Sequence, residues 1–242
     1  MSRREPDAVT FEPYGDSAVM ISFDAPEATL RRAAAARCHV ALVANRPPGV
    51  TEIVAGLESQ LVRYDPQATT HEHLVHDVTL ILALPQDEDA PAGVARRFEI
   101  PVWVDPNTAP DLEEVAQECG VSTDAFLDTF FSSPFTISLL AAAMAPMMDG
   151  PRTATGIRRR AQPRTDVAPG SIMVAGTNAI IQPFPAPTGW RVIGRTPHTI
   201  VDIRQSPPTS FGPGDAVTFV RIGSHQAALL EGTFLREVGA TR

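Results

Sequence analysis

Hydrophobic residues in the first third of the chain occur in short alternating runs and then at helical spacing. This pattern predicts two strand pairs, each followed by a helix. The predicted elements are strands 11–14 and 17–23, a helix over 26–44, strands 51–55 and 60–64, and a helix ending near residue 82. Thr69 or Thr70 can cap the second helix with its hydroxyl. The element order resembles a ferredoxin-like or similar split α/β unit.

The pattern then changes to a stretch without apolar periodicity. Residues 85–97 are acidic and rich in proline and alanine, which predicts a linker between a first domain (1–84) and a second domain (98–223). The second domain opens with an alternating strand, followed by helices over 110–120 and 122–131 and a buried strand over 135–142. We further predict a strand over 198–203, and a tail or short helix over 224–242.

The densest pattern lies in residues 162–197, where short apolar runs alternate with Gly and Pro turns. Pro169-Gly170 precedes one run, residues 176–178 form the next turn, and three prolines between 183 and 187 impose an extended passage. Short runs at this spacing are typical of a small barrel or sandwich. The loops of such a domain would present Arg164 and Arg195.

Composition narrows the class of protein. The net charge of −8 disfavours nucleic-acid binding, which requires a basic face. No apolar run approaches the roughly 20 residues that span a bilayer, and no hydrophobic segment follows the N-terminal arginines, so we expect a cytoplasmic protein without a membrane partner. Cys38 and Cys119 are then expected to be free thiols.

All 20 basic residues are arginine, so the chain has no lysine for a phosphate-binding loop, a Schiff base or biotin attachment. The common nucleophile, zinc and dinucleotide motifs are also absent from the sequence. A self-contained catalytic constellation is therefore not predicted.

Two clusters are candidates for a bound ion. His71, Glu72, His73, His76 and Asp77 lie at helical spacing, which a metal can use, but the pattern is equally typical of a solvated helix face, and we predict no metal site. The second cluster is a group of arginines within an acidic protein: Arg152, Arg158, Arg159, Arg160 and Arg164.

Arg164 is the member that we expect to bind an anion, because guanidinium groups hold phosphate or carboxylate through two hydrogen bonds. Arg195 is a similar candidate, with Gly194 allowing close backbone approach and Thr196 offering a hydroxyl. The alternative for Arg195 is a structural ion pair with a carboxylate such as Asp166 or Asp202.

Three methionines bracket Pro146, namely Met144, Met147 and Met148. Flexible thioethers either fill irregular core space or form an adaptable apolar contact surface. Both alternatives stay open at this point.

Several of these segments resemble a known family. The motif R-T-x-V-x-x-G-S-I-x-V-A-G at 164–176 and G-W-x-V-I-G-R-T-P at 189–197 are similar to the signature of the family of KipI and the 5-oxoprolinase B-subunit, also called allophanate hydrolase subunit 1. Weaker similarity covers Y-G-D-S-A at 14–18, I-P-V at 100–102, P-D-L-E-E-V-A at 110–116 and G-D-x-V-x-F at 214–219. The resemblance implies an α+β protein with a cyclophilin-like β-barrel as its second domain.

The resemblance also implies a function. The chain would be one subunit of an ATP-dependent amidase that converts 5-oxoproline to glutamate, with ATP and Mg²⁺ acting in the complex and no cofactor tightly bound. A homologous barrel subunit (the 5-oxoprolinase C-subunit, or allophanate hydrolase subunit 2) would complete the cleft, and a third subunit would complete hydrolysis. Arg164, Arg195 and Thr196 would be catalytic. The substrate-binding residues would be Ser132, Ser133, Met144, Gly176, Asn178, Pro183 and Trp190.

Departures from the family pattern leave alternatives open. The family's glycine- and phenylalanine-rich cleft segment is replaced by alanine and methionine at 142–150, and Phe131 stands where the family has a histidine. A non-catalytic KipI-like regulator that binds a histidine kinase, or a subunit of a urea or allophanate carboxyltransferase, would fit such changes.

Overall fold

The computed structural model describes residues 8–84 and 96–239. The chain divides into two compact units, residues 1–93 and 94–242. Most of the predicted linker, residues 85–95, lies outside the described residues, and residue 97 already belongs to a strand. No helix among the described residues has the length and apolar character needed to cross a bilayer.

The N-terminal unit is a four-stranded antiparallel sheet with two helices, and its elements lie close to the predicted positions. They are β1 (Ala8–Pro13), β2 (Ala18–Asp24), α1 (Ala28–Ala44), β3 (Val50–Ala55), β4 (Ser59–Tyr64) and α2 (His71–Ala83). The strands follow the order β1-β2-β4-β3. Thr70 is the residue that caps α2, because its hydroxyl accepts a hydrogen bond from the backbone N–H of His73.

Alternation along the strands places the core of this unit on one face of the sheet. Val19, Ile21 and Val62 are fully buried and pack with Leu42 of α1 and Leu74 of α2. Because side chains of a strand point alternately to opposite faces, one apolar set is enough to hold both helices.

The second unit contains a closed barrel of seven strands, which confirms the α+β fold class. Its elements are β5 (Arg97–Trp103), α3 (Leu112–Glu118), α4 (Thr123–Ser132), β6 (Phe135–Leu140), β7 (Pro146–Asp149), β8 (Arg164–Val167), β9 (Ser171–Ala175), β10 (Asn178–Ile181), β11 (Ala186–Thr188), β12 (Arg191–Arg195), β13 (Ala216–Ile222) and α5 (Ser224–Leu230). The barrel closes in the order β10-β7-β6-β13-β5-β12-β9, and β8 and β11 form a separate two-stranded ribbon.

The barrel is held by one large apolar cluster that includes the faces of α3 and α4. Phe130 stacks on Phe219 with ring centroids 4.9 Å apart, and Phe135 meets Phe219 edge to face at 4.9 Å. Burial of such rings dominates core energetics. Val115 of α3 and Phe126 of α4 belong to the same cluster.

Two predicted strands differ in the structure. The strand predicted over 135–142 ends at Leu140, and a single 3₁₀ turn follows over Ala142–Met144. The strand predicted over 198–203 is reduced to a single bridge between Thr199 and Phe234, and the chain turns after Asp202, whose carbonyl accepts the N–H of Gln205. The C-terminal segment begins with the short helix α5.

A smaller apolar cluster lies where the ribbon meets the barrel strands. Its buried members are Ala145, Val167, Met173, Ile180 and Val192, with Trp190 packed against them. Strand β9 is therefore buried on both faces, with Ile172 and Val174 in the barrel core and Met173 in the smaller cluster. Both cavities described below border this cluster.

Candidate functional site

Arg164 and Arg195 lie on the wall of one open cavity of about 340 Å³. Arg164 is the first residue of β8 and Arg195 the last of β12, so the two come from different strands. Asp166 lines the same cavity. The rest of the lining is Pro106, Asn107, Thr108, Pro110, Val167, Ala168, Ser171 and Val192.

Buried Asp111 holds the guanidinium group of Arg164 in place. The Asp111 side chain is fully buried, and it accepts hydrogen bonds from Nε of Arg164 at 3.2 Å and from Nη2 at 2.7 Å. It also accepts bonds from Nη1 of Arg160 and from the backbone N–H of Val192 at 2.9 Å. One carboxylate thus serves two guanidinium groups.

The pKa of Asp111 lies below its ordinary value. Burial alone would raise this pKa, but the Arg164 hydrogen bond, the Val192 N–H and the charges of Arg164 and Arg160 together outweigh burial. The same pairing raises the pKa of Arg164. Asp111 is therefore an anion that fixes the direction of two cations.

Arg195 is paired with Glu231, and not with Asp166 or Asp202, the two carboxylates that the sequence suggested. Both terminal nitrogens of Arg195 donate to the Glu231 carboxylate, and Nε donates to the carbonyl oxygen of Pro169 at 3.1 Å. Glu231 follows α5, in a part of the chain where the sequence indicated no ligand for this arginine. Asp202 pairs with its near neighbour Arg204, whose hydrogen bonds lower the pKa of Asp202 to about 2.

Two glycines allow the loop around Arg195 to pack closely. A Cβ at Gly194 would lie 2.6 Å from Cγ1 of Val102, and a Cβ at Gly170, which has a φ of +81°, would lie 2.2 Å from the carbonyl oxygen of Thr196. Thr196 is completely buried, and its hydroxyl oxygen accepts the N–H of His198 at 3.4 Å. Although Thr196 directly follows Arg195 in the chain, it is not among the residues that line the cavity.

The other arginines of the cluster have separate partners. Nε of Arg158 donates to Glu118 at 2.8 Å, and the Arg159 guanidinium lies 5.5 Å from the centroid of the Trp190 ring. Arg152 is exposed, and its backbone N–H donates to Oγ of Ser133.

A second cavity, of about 230 Å³, lies beside the smaller apolar cluster and brings together Pro183 and Trp190, two of the seven predicted substrate-binding residues. Its lining consists of Ala141, Ala142, Ala143, Ala145, Met173, Ile180, Gln182, Pro183, Phe184, Ala186, Pro187, Thr188 and Trp190. Met144, a third predicted residue, is 42% exposed on the turn between Ala143 and Ala145. Of the three methionines, Met148 fills the barrel core, Met147 packs against the smaller cluster, and Met144 is the exposed one.

The remaining predicted residues lie elsewhere. Ser132 and Ser133 end α4, where their hydroxyls donate to the carbonyl oxygens of Asp128 and Thr129. Gly176 and Asn178 belong to the β9–β10 turn, where Gly176 bridges to Ile157 and Asn178 pairs with Asp149. None of these four lines either cavity.

The histidine-rich stretch forms the start of α2. Within residues 8–84 and 96–239, no group of three or more His, Cys, Asp or Glu side chains is arranged to hold a metal ion. Thr70 and Glu72 instead give this helix an N-cap and an acidic first turn.

Comparison with known proteins identifies the family to which the chain belongs. The family described as carboxyltransferase domain, subdomain C and D, matches residues 9–211, and the chain belongs to this family. The B-subunit of 5-oxoprolinase from Bacillus subtilis (strain 168) is 32% identical over 225 residues, which cover 87% of this chain and 92% of that protein. The resemblance inferred from the sequence motifs is thereby confirmed.

Solved structures support the fold. A conserved uncharacterized protein from Pyrococcus horikoshii is 29% identical with a TM-score of 0.51, over 90% of this chain and all (100%) of the other. The Kluyveromyces lactis urea carboxylase has a TM-score of 0.74 at 16% identity, over 95% of this chain and 23% of that much longer chain. At this identity the second similarity supports the architecture alone.

Three residues of the two sites were missed by the sequence analysis. The sequence places Asp111 at a helix start, but its side chain makes no capping bond and instead accepts the two arginines. Glu231 and Gln182 lie in segments whose sequence indicates no side-chain role. The helix-start position of Asp111 was misleading, because an aspartate there is ordinarily a cap.

Proposed function

We propose that this chain is one subunit of a 5-oxoprolinase-type, ATP-dependent amidase complex. A homologous barrel subunit would complete the active cleft, and a further subunit would complete hydrolysis. The observation that carries the proposal is the convergence of Arg164 and Arg195 on one open cavity backed by buried Asp111. The similarity to the Bacillus subtilis 5-oxoprolinase B-subunit supports the choice of reaction.

The chemistry explains why such a cavity is useful. A lactam carbonyl is a weak electrophile, and transfer of the γ-phosphoryl group of ATP to its oxygen makes it reactive toward water. Guanidinium groups held in place before the reaction stabilise the charge on the transferred phosphoryl group. The arginine-lined cavity fits a phosphate group by charge, and Mg²⁺ would travel with the nucleotide oxygens and water, its common ligands in phosphoryl transfer.

The arginines need a ligand that competes with their present partners. Arg164 is bound to Asp111 through Nε and Nη2, so its direction is fixed while its side chain keeps 32% exposure. Arg195 would exchange Glu231, which is 51% exposed, for an oxyanion of the same geometry.

The test is reconstitution with the partner subunits and assay of ATP-dependent glutamate release from 5-oxoproline. We expect Arg164→Ala and Arg195→Ala to lower kcat by about 10²–10³-fold, the usual effect of removing one charge-stabilising donor. Arg204→Ala is the matched control, because Arg204 is 84% exposed and pairs with Asp202 outside the cavity. Absence of turnover in the complete complex, or equal losses in all three variants, would reject the proposal.

A second candidate function is a protein-binding regulator of the KipI type. One observation favours it: both candidate arginines already carry carboxylate partners from this same chain. A complex that forms normally but shows no ATP-dependent turnover would support this alternative over catalysis.

A further inference from the structure

The arginine-lined cavity also contains a buried serine whose hydroxyl group has no partner. Ser171 is 5% exposed and lines this cavity. Within residues 8–84 and 96–239 its hydroxyl makes no hydrogen bond. Buried hydroxyl groups are ordinarily hydrogen-bonded, because leaving one without a partner costs stability. An unpartnered hydroxyl on the wall of a cavity is therefore a candidate contact for a ligand.

Strand pairing gives the direction of the Ser171 side chain. Ile172 and Val174 of β9 belong to the barrel core. Because side chains along a strand alternate, Ser171 shares the opposite face with Met173. Ser171 also lies directly opposite Arg195 in the antiparallel pair of β9 and β12. Side chains of such a pair stand on the same face, with Cβ atoms about 5 Å apart, so the hydroxyl lies beside the Arg195 side chain.

The turn before Ser171 fixes both residues before any ligand binds. The N–H of Ser171 donates to the carbonyl of Ala168 at 3.3 Å and closes a turn with Pro169 and Gly170 at its centre. Gly170 has a φ of 81°, the left-handed conformation that the third position of such a turn requires. Nε of Arg195 donates to the carbonyl of Pro169 at 3.1 Å. The serine and the arginine are thus held by the same turn.

The same cavity contains a carboxylate without a partner. Asp166 lies two residues after Arg164, lines the cavity, and makes no hydrogen bond or ion pair in the part of the chain that the structure describes. Its negative charge is one of the causes that raise the pKa of Arg164, so the two charges are close enough to interact. Asp111 and Glu231, by contrast, already pair with the two arginines. Asp166 is therefore free to meet a cation that arrives with the ligand.

We propose that this cavity recognises phosphate in its magnesium complex, with the Ser171 hydroxyl donating to a phosphate oxygen and the Asp166 carboxylate binding the Mg²⁺. In proteins Mg²⁺ is commonly held by one or two carboxylates together with phosphate oxygens and water, so one unpaired carboxylate fits this role. The arginines bind the remaining phosphate oxygens. The choice of Mg²⁺ rests on the proposed ATP-dependent function, but binding requires no partner subunit.

The two residues give the cavity a preference that arginines alone would not give. Mg²⁺ lowers the negative charge of a phosphate chain, so a site made only of guanidinium groups binds the complex more weakly than the bare anion. The Asp166 carboxylate reverses this order, because it repels the bare anion and attracts the complexed cation. Mg²⁺ alone meets a single unpaired carboxylate, which is too few ligands for tight binding.

The test is isothermal titration calorimetry of the full chain with inorganic triphosphate, in excess Mg²⁺ and in EDTA. We expect binding to be at least about tenfold tighter in Mg²⁺, a difference of about 1.4 kcal/mol, and Mg²⁺ without triphosphate to show no saturable binding. In Asp166→Asn the order should reverse, with tighter binding in EDTA. Asp128→Asn, which changes an exposed aspartate on α4, is the matched control and should behave as the unmutated chain.

Ser171→Ala should weaken triphosphate binding about tenfold in both conditions, because hydrogen bonds to charged groups are the stronger ones. Its Tm should not fall, since removal of an unpartnered hydroxyl leaves no other group unsatisfied. A purely structural serine would show the opposite pattern, with a lower Tm and unchanged binding. Ser224→Ala, at an exposed position of α5, is the control.

Four results would overturn the inference: tighter binding in EDTA for the unmutated chain, an unchanged Mg²⁺ effect in Asp166→Asn, unchanged binding in Ser171→Ala, or no binding of triphosphate. The reconstituted complex separates this inference from the proposed function. Magnesium-coupled binding without turnover would reject the amidase alone, and turnover that both variants leave unchanged would reject this site alone.

Discussion

Replacing Asp111 with asparagine tests the physical centre of the arginine-lined site. The side chain of Asp111 is fully buried and accepts four hydrogen bonds, three of them from the guanidinium groups of Arg160 and Arg164. Asparagine keeps the shape but removes the charge and turns one oxygen into a donor that faces other donors. Breaking a buried ion pair costs about 3–5 kcal/mol.

For Asp111→Asn we expect the lower end of this range of costs, about 3 kcal/mol. The two arginines keep 22% and 32% side-chain exposure, so water can solvate part of the charge that Asp111 no longer balances. We therefore predict that Asp111→Asn lowers the free energy of unfolding of the barrel unit by about 3 kcal/mol. For a unit of this size each kcal/mol corresponds to about 3 °C, so Tm should fall by about 9 °C.

The unfolding of Asp111→Asn is measured by calorimetry and with denaturant. The control variant is Asp128→Asn, which changes an exposed aspartate on α4. A cycle with Arg164→Gln should give a coupling energy of about 1–3 kcal/mol, because the two side chains share two hydrogen bonds. A decrease in the free energy of unfolding of less than about 1 kcal/mol for Asp111→Asn, or a decrease equal to that of Asp128→Asn, would refute the idea that a buried anion organises this site.

The pH dependence follows from the lowered pKa of Asp111. A carboxyl whose pKa is lower in the folded state contributes stability above its unfolded pKa of about 3.9 and loses it as pH falls through the folded value. The stability difference between the wild type and Asp111→Asn should accordingly be complete near neutral pH and shrink below about pH 4. Unfolding curves between these limits measure it, and a difference that grows on acidification would contradict the assignment.

Three further predictions follow from single contacts. Burial raises the pKa of the Cys38 thiol to about 12, so this residue should resist alkylation at neutral pH in the native protein but not after unfolding, as measured by mass spectrometry. In Arg204→Gln, carboxyl NMR should show the pKa of Asp202 rising from about 2 toward its ordinary range, and an unchanged value would exclude Arg204 as the cause. Gly170→Ala should lower the free energy of unfolding by roughly 3 kcal/mol or more, because its Cβ would lie 2.2 Å from the carbonyl oxygen of Thr196. A Cβ at Gly214 meets no atom within 4 Å, so Gly214→Ala should cost less. Thermal unfolding of both variants measures the difference.

The secondary structure of the first unit was predictable because its signals are local. Alternation in β2 and β4, helical spacing in α1 and the Thr70 cap of α2 all depend on residues within one or two turns of each other. The strand predicted over 198–203 is shorter for a different reason. Only Thr199 finds a partner, Phe234 of the distant C-terminal segment, and the turn after Asp202 ends the extended run.

The same difference between local and long-range information applies to the functional residues. The signature run predicted that Arg164 and Arg195 would be presented by barrel loops, whereas both lie at strand ends, where they share a cavity. The same local pattern could not separate the charged cavity from the apolar one, and it did not show that Thr196, although next to Arg195 in the chain, is fully buried and lines neither cavity. Asp166 and Asp202 were the carboxylates expected beside Arg195, but its partner is Glu231.

The amino-acid sequence by itself determined most of the element types, a small barrel or sandwich for the second unit, and the use of arginine for every basic side chain, since these follow from periodicity, turn chemistry and composition. The choice of a barrel came from the resemblance to a known family. Only the tertiary structure decided which arginine meets which carboxylate, which methionine is buried, and which residues line each cavity. The physical reason is that ion pairs and cavities arise between strands distant in sequence, where the energy depends on burial and geometry that exist only after the barrel has closed.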